Sequence, residues 1–221
     1  MIKTIVLDFD GVIVESVDIK TEAFKELYKE YDDKLDDIIN YHLDNNAISR
    51  FIKFKHISEN ILNEKYDDKT KEKLGKLFSK IVFDKIVECP YVKGAEEFLK
   101  YFSKNYPIYL ASNTPQKELE LITKKRSLTK YFKGIYGSPP GDKVGFIKKI
   151  QDAENISSKE ILYVGDMIND YKIAKKTNVK FVGRKNIESF DNLNVPYFSD
   201  LIGIKEWIKN QEKDNKQLIC L

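Results

Sequence analysis

Cysteine is nearly absent from this chain: two residues, Cys89 and Cys220, among 221. They share no metal-ligand spacing and frame no disulfide scaffold, so a reducing compartment is expected and the fold must be held by its core. At this length one domain, or one domain carrying a small second one, buries roughly 70% of its unfolded surface and needs no covalent staples. Long apolar runs are also missing; none approaches the roughly 20 residues that a bilayer span requires. The opening Met1-Ile2-Lys3-Thr4-Ile5 lacks the apolar segment and small-residue cleavage site of a secretion signal, and Cys220, next to last, is misplaced for prenylation. Nor is there a charge excess of one sign. Lys and Arg number 38 against 35 Asp and Glu, a formal net charge of +3 with the signs mixed, which argues against an electrostatic nucleic-acid binder. What is present is 42% hydrophobic and 12% aromatic residues, too apolar for a disordered chain. The expectation is a globular cytoplasmic protein, monomer or weak homodimer, with neither membrane nor nucleic acid as partner.

Ile5-Val6-Leu7 is a short unbroken apolar run, the pattern of a strand buried on both faces of a parallel sheet, and it stops at Asp8-Phe9-Asp10-Gly11. Similar runs recur at Ile108-Tyr109-Leu110-Ala111, Ile161-Leu162-Tyr163-Val164 and Phe181-Val182, with a weaker one at Ile135-Tyr136. Helical spacing lies between them: Phe98, Leu99 and Phe102; Leu128, Tyr131 and Phe132; Phe146, Ile147 and Ile150. Thr114 before Pro115 reads as an N-cap with proline at the first helical position, Asn178 as a left-handed C-terminal cap, and Asp200 as the opening of a last amphipathic helix. The lysine-rich tail from Asn210 to Lys216 reads as a solvated, fraying helix end. Strands alternating with helices predict an α/β fold with right-handed crossovers.

From about Ser16 to Glu88 the alternation stops and several helical patterns follow one another, carried by Ala23, Phe24, Leu27, Tyr28 and Tyr31, by Phe51, Phe54 and Ile57, and by Leu74, Leu77, Phe78, Ile81 and Val82. This predicts a small all-helical domain over 16–89, inserted into a core domain made of 1–15 and 90–221, with Pro90-Tyr91-Val92-Lys93-Gly94 as the re-entry.

Function in an open parallel sheet gathers outside the carboxyl ends of its strands. Asp8 and Asp10, two apart on an extended strand, leave from one face, and two such carboxylates stay ionised together only if a cation or donors neutralise them. Gly11 permits a tight turn whose N–H groups can face an anion. Alone, Asp-x-Asp-Gly is an ordinary polar turn. A second strand, however, ends in Gly165-Asp166-Met167-Ile168-Asn169-Asp170, with Asp166 and Asp170 at the mouth of a helix expected to start near Met167. Two strands delivering acids to one sheet edge form a hard oxygen donor set of the kind Mg²⁺ prefers. Ser112-Asn113 and Lys143, each following a strand, add amide and hydroxyl donors and a cation.

In this order, Asp8-Phe9-Asp10-Gly11-Val12, Ser112-Asn113-Thr114, Lys143 and Gly165-Asp166-x-x-Asn169-Asp170 resemble the four motifs of the haloacid dehalogenase-like phosphohydrolases. The resemblance covers nearly the whole chain, and the helical insertion after the first motif is similar to the cap of the phosphoglycolate phosphatase and β-phosphoglucomutase branch. It implies a Rossmann-like sheet in the order 5-4-1-2-3, with strands near 2–8, 107–111, 134–136, 160–165 and 179–182. It also implies a Mg²⁺-dependent phosphomonoester hydrolase acting on a small phosphorylated metabolite, a phosphosugar or phosphoglycolate. Asp8 would be the nucleophile and Asp10 the acid and base; Gly11, Ser112, Asn113 and Lys143 would hold the phosphoryl group. Mg²⁺ would be held by Asp8, the Asp10 carbonyl and Asp166, supported by Asp170. A phosphosugar mutase of the same architecture, or a regulatory protein without turnover, are the other readings. An acid at position 10 favours phosphoryl chemistry over dehalogenation. Departures are Glu15-Ser16, where many relatives carry Asp-Ser, and Asn178, where many have glycine. In the insertion, Arg50 and Lys53 fall three apart on one helical face: either a solvated basic face or a pair that selects the substrate. His42 and His56 show no partner pattern.

Overall fold

The first strand, β1 (Thr4–Leu7), is buried at every position, as its unbroken apolar run requires of a strand covered on both faces. The computed structural model describes residues 1–219, with side chains as far as Lys213; Cys220 lies outside the described residues, and the expected solvated end at Asn210–Lys216 runs past the described side chains. After β1 come four helices, α1 (Val17–Leu27), α2 (Leu35–Asp44), α3 (Arg50–His56) and α4 (Asp68–Glu88). The chain then alternates: α5 (Ala95–Phe102), β2 (Ile108–Ser112), α6 (Gln116–Lys125), β3 (Gly134–Gly137), α7 (Lys143–Glu154), β4 (Ile161–Gly165), α8 (Ile168–Thr177), β5 (Lys180–Arg184), β6 (Tyr197–Phe198) and α9 (Leu201–Ile219). Among the described residues no helix is long and apolar enough to cross a membrane.

Contacts divide the chain into two units, Met1–Glu15 with Pro90–Leu221 and the contiguous Ser16–Cys89. In the first unit all strands pair in parallel in the order β3-β2-β1-β4-β5-β6. The expected five-strand order is present and carries a sixth strand at the β5 edge. β6 escapes the sequence pattern because it is two residues long and directly follows Pro196. β1 lies centrally, with Ile5 opposite both Ile108 and Leu162, so Asp8 emerges between the carboxyl ends of β2 and β4. One sheet face packs Val6, Tyr109 and Tyr163 against Phe146, Ile147 and Ile150 of α7 and Ala174 of α8.

Several local expectations hold. Asn178 caps α8 at φ 57, and Asp200 Oδ1 accepts from the N–H groups of Ile202 and Gly203 at the start of α9. Others change. Leu128, Tyr131 and Phe132 span only a single 3₁₀ turn, Thr129–Tyr131. α6 starts at Gln116 with Pro115 as its cap, and the Thr114 hydroxyl is used elsewhere. At the end of the first segment, Arg184 of β5 grips Glu15 with both terminal nitrogens, at 2.6 and 3.3 Å.

The helical unit has a core of its own. Phe24 meets Phe78 at 5.0 Å, Phe54 at 5.7 Å and the His42 ring at 4.3 Å between centroids.

Candidate active site

Each proposed segment follows the carboxyl end of a strand of the α/β unit, and four side chains from three of them are drawn into one buried cluster. Asp8 is 6% exposed, Lys143 4%, Asp166 1% and Asp170 1%. Lys143, the first residue of α7, is set by the Asp142 cap, whose Oδ1 accepts from Gly145 N at 2.7 Å. Its Nζ donates to Asp8 Oδ2 at 2.6 Å and to Asp170 Oδ1 at 2.8 Å. Asp170 Oδ2 accepts from Met167 N at 3.2 Å. Asp8, Asp166 and Asp170 bring carboxylate oxygens within 4.8 Å of one another.

Three carboxylates against one ammonium leave two negative charges in a site nearly sealed from water. Burial therefore pushes Asp8 up to about 7, with Asp170 and Asp10 adding to the effect and Lys143 opposing it. Burial, then the charges of Asp8 and Asp170, hold Asp166 well above the usual carboxylate range. For Lys143 burial works downward, but the carboxylates of Asp170 and Asp8 more than reverse it, so it stays charged. A divalent oxygen-seeking cation fits this donor set, since it supplies the two missing charges. Both Asp170 oxygens already receive donors, which fits it for a supporting place. Asp166 has Asn186 Nδ2 on Oδ2 at 3.1 Å, while Oδ1 receives no donor among the described residues.

Asp10 is half-buried, and its Oδ2 accepts from Ser112 Oγ at 3.4 Å and from Thr114 Oγ1 at 3.2 Å. The Ser112 hydroxyl, expected to face a phosphoryl group, here also accepts from Thr114 N at 3.0 Å. Asn113 is half-buried beside it at the end of β2. The Gly11 N–H donates to the Val14 carbonyl at 2.8 Å and is not turned to an anion. What Gly11 provides is room: at φ +73, a Cβ there would lie 1.9 Å from Asp166 Oδ2. Gly11→Ala should therefore displace Asp166, and a divalent cation titrated into the cluster, Mg²⁺ being the probe, should bind at least about tenfold more weakly than to the wild type, as loss of ligand orientation does. Titration calorimetry checks this; an unchanged affinity would contradict it.

Arg50 and Lys53 belong to the helical unit and are both buried, which rules out the solvated-face reading. Arg50 Nη1 donates to Ser79 Oγ at 3.2 Å, and its guanidinium lies over the Phe78 ring. Lys53 Nζ sits 3.0 Å from His42 Nδ1, and burial, then the Lys20 charge, pull it down to about 7. Burial, then Lys53, pull His42 down to about 3. His56 stacks on Tyr41 at 3.9 Å.

Sequence reasoning missed three residues of the α/β site: Thr114, Tyr163 and Asn186. Thr114 has the sequence position of a helix cap. Asn186 lies two residues beyond the end of β5, where the strand-end rule could have found it. Tyr163 Oη donates to Asp170 Oδ1 at 2.6 Å, and its position inside an apolar run hid that.

A family model described as haloacid dehalogenase-like hydrolase matches residues 5–184. A search of curated proteins finds no match. Among solved structures, the chain is similar to a "predicted phosphoglycolate phosphatase" from Haemophilus somnus (17% identity, TM-score 0.77, covering 94% of this chain and 98% of that one). It is similar to β-phosphoglucomutase from Clostridium difficile (20% identity, TM-score 0.77, 99% and 100% covered). A third likeness is YfnB of Bacillus subtilis, bound to magnesium (12% identity, TM-score 0.69, 94% and 99% covered). At such identities these likenesses bear on the fold alone.

Proposed function

Since the chain belongs to the haloacid dehalogenase-like hydrolases, we propose that it is a Mg²⁺-dependent phosphomonoester hydrolase that cleaves a small phosphorylated metabolite, a phosphosugar or phosphoglycolate, through a phosphoaspartate. The observation that carries this reading is the buried cluster of Asp8, Asp166 and Asp170 around Lys143, two charges short of neutrality. In this reading residues 1–15 and 90–221 are the catalytic core and 16–89 the cap. The protein acts in the cytoplasm as a monomer or weak homodimer.

Asp8, the Asp10 carbonyl and Asp166 would hold the metal, with Asp170 in support. When bound, Mg²⁺ neutralises the phosphoryl charge that would otherwise repel the nucleophile. An Asp8 carboxylate oxygen attacks phosphorus while the bond to the leaving oxygen breaks, and Asp10 gives that oxygen a proton. Asp10, now a carboxylate, takes a proton from water as the water attacks phosphorus; the bond to Asp8 breaks and phosphate leaves. Lys143, Ser112 and Asn113 hold the phosphoryl oxygens, whose charge is spread in the transition state. Gly11 keeps the turn tight enough for that group to approach. Arg50 and Lys53 select the substrate.

A panel of phosphorylated metabolites assayed for released phosphate tests the reading. Release that depends on Mg²⁺ supports it, whereas an isomerised phosphosugar without phosphate release would make the chain a mutase. Turnover of nothing would leave a binding role. Arg50→Ala should lower kcat/KM for the best metabolite and leave p-nitrophenyl phosphate almost unchanged; equal losses on both would remove Arg50 from specificity.

The charge excess also sets a pH dependence. Asp8 moves from 3.8 to about 7 on folding, and Asp166 moves the same way. The folded protein then holds more protons than the unfolded chain between these values. Stability present below about pH 4 is thus lost as pH rises through 7. Bound Mg²⁺ replaces those protons. At a concentration 100 times its Kd it should raise Tm by about 5 °C or more at pH 8, and by less at pH 5. The difference with and without metal cancels titrations elsewhere, including Lys53 and His42. Equal shifts at the two pH values would contradict the assignment.

A further inference from the structure

Tyr163 is fully buried in β4, and its ring belongs to the core: it meets Phe181 edge-on at 6.1 Å. The ring needs no further explanation; the hydroxyl does. Tyr163 and Gly165 are two apart on one strand and so share a sheet face. At Gly165 a Cβ would stand 2.3 Å from the Asp170 Cβ, so the missing side chain is what lets Asp170 fold back from the first turn of α8 towards β4. There its Oδ1 meets two donors, Tyr163 Oη at 2.6 Å and Lys143 Nζ at 2.8 Å. The same ammonium reaches Asp8 Oδ2 at 2.6 Å. Burial, then the Asp170 charge, hold the phenol well above its ordinary range, so it is an O–H donor throughout.

We propose that Tyr163 is a positioning residue for phosphoryl transfer: by donating to Asp170 Oδ1 it weakens that carboxylate's hold on Lys143 and keeps the ammonium close to Asp8. The inference rests on the reading of Asp8 and Lys143 given above. Its physical basis is competition. A carboxylate oxygen whose charge is shared by a second strong donor attracts the ammonium less, and Lys143 stands nearer Asp8 than Asp170. With the hydroxyl gone, Lys143 is the one donor left on that oxygen among the described residues, and the ammonium should move towards Asp170 and away from the nucleophile.

Tyr163→Phe removes one oxygen and keeps the ring. Assayed with p-nitrophenyl phosphate and Mg²⁺, it should lower kcat by about tenfold or more, the scale of a lost charged hydrogen bond, with KM changed less than about twofold. In a Lys143→Met background the same change should alter the residual kcat by less than about twofold, because the effect passes through Lys143. Crystal structures of the wild type and Tyr163→Phe should show the Lys143–Asp8 distance lengthened and the Lys143–Asp170 distance shortened. An unchanged kcat, a full loss with Lys143 already absent, or unmoved distances would each overturn the proposal. If Tyr163→Phe does not fold, the comparison is made in Asp170→Asn, which carries no buried charge at that position. There Tyr163→Phe should leave kcat unchanged, and a further loss would assign the hydroxyl a purely structural role. A wild type that cleaves no phosphomonoester defeats the phosphatase reading instead, and the crystallographic distances then decide Tyr163 by themselves.

Discussion

Asp8→Asn should reduce phosphate release by at least about 10³-fold while the protein stays folded. The amide has no lone pair of carboxylate strength to attack phosphorus, and the neighbouring carboxylates, Asp166 and Asp170, are the ones proposed to hold and support the metal. Stability should not follow activity. Asp8 is a buried carboxylate pushed up to about 7, and the substitution takes one negative charge out of a cluster that has two too many. Lys143 keeps its bond to Asp170. In metal-free buffer at pH 8 the variant should therefore melt at or above the wild-type temperature. Phosphate release and a circular-dichroism melt, run on the same preparation, check both halves. Turnover above about one-hundredth of wild type would rule out the covalent route.

Lys143→Met should do the opposite to stability and the same to activity. It removes the cation that Asp8 and Asp170 share and leaves their carboxylates buried against each other, a change that costs about 3–5 kcal/mol for a broken buried pair. Lowering the pH lets those carboxylates take up protons, so the deficit should shrink between pH 8 and pH 5.5, and Mg²⁺ at pH 8 should offset part of it. Urea unfolding of wild type and variant at the two pH values gives the comparison. A deficit that stayed constant with pH would mean that Lys143 contributes through packing and not through charge.

Much of this site was legible in the sequence, because a short apolar run that stops at a polar cluster marks both a buried strand and its carboxyl end. Ile5-Val6-Leu7 before Asp8 and Ile161 to Val164 before Gly165-Asp166 carry that signal without help from tertiary structure. What stayed hidden was mostly where a side chain goes once a backbone is in place. Thr114 has the sequence of a helix cap, yet Pro115 takes the cap position before α6 and the Thr114 hydroxyl turns to Asp10. Tyr163 reads as one more apolar residue of a strand, and only the return of Asp170 past Gly165 gives its hydroxyl a partner. Arg50 and Lys53 show the same limit from the other side: charge and helical spacing cannot distinguish an exposed face from a buried one, where Arg50 lies over the Phe78 ring and Lys53 meets His42. β6 was too short to have a period at all.

The place of β1 has a further consequence during synthesis. The strand is the first made and the central one, but its two neighbours begin only at Ile108 and Ile161. At about 5–20 residues per second, roughly 10–30 s pass on the ribosome between the emergence of β1 and that of β4. Until Ile108 emerges, the contiguous helical unit, Ser16–Cys89, has all the residues of its own core, whereas Ile5-Val6-Leu7 has nothing to pair with; until Ile161 it has β2 on one side alone. Of the cluster's three acids only Asp8 has then been made; it stays in water, because the ammonium that bridges it to Asp170 is supplied from residue 143 and Asp166 and Asp170 themselves come after β4. A nascent chain cut short before Ile108 would thus carry the whole helical unit and an apolar strand with no neighbour to pair with. That is a client for chaperones and proteases, and not a slower version of the enzyme.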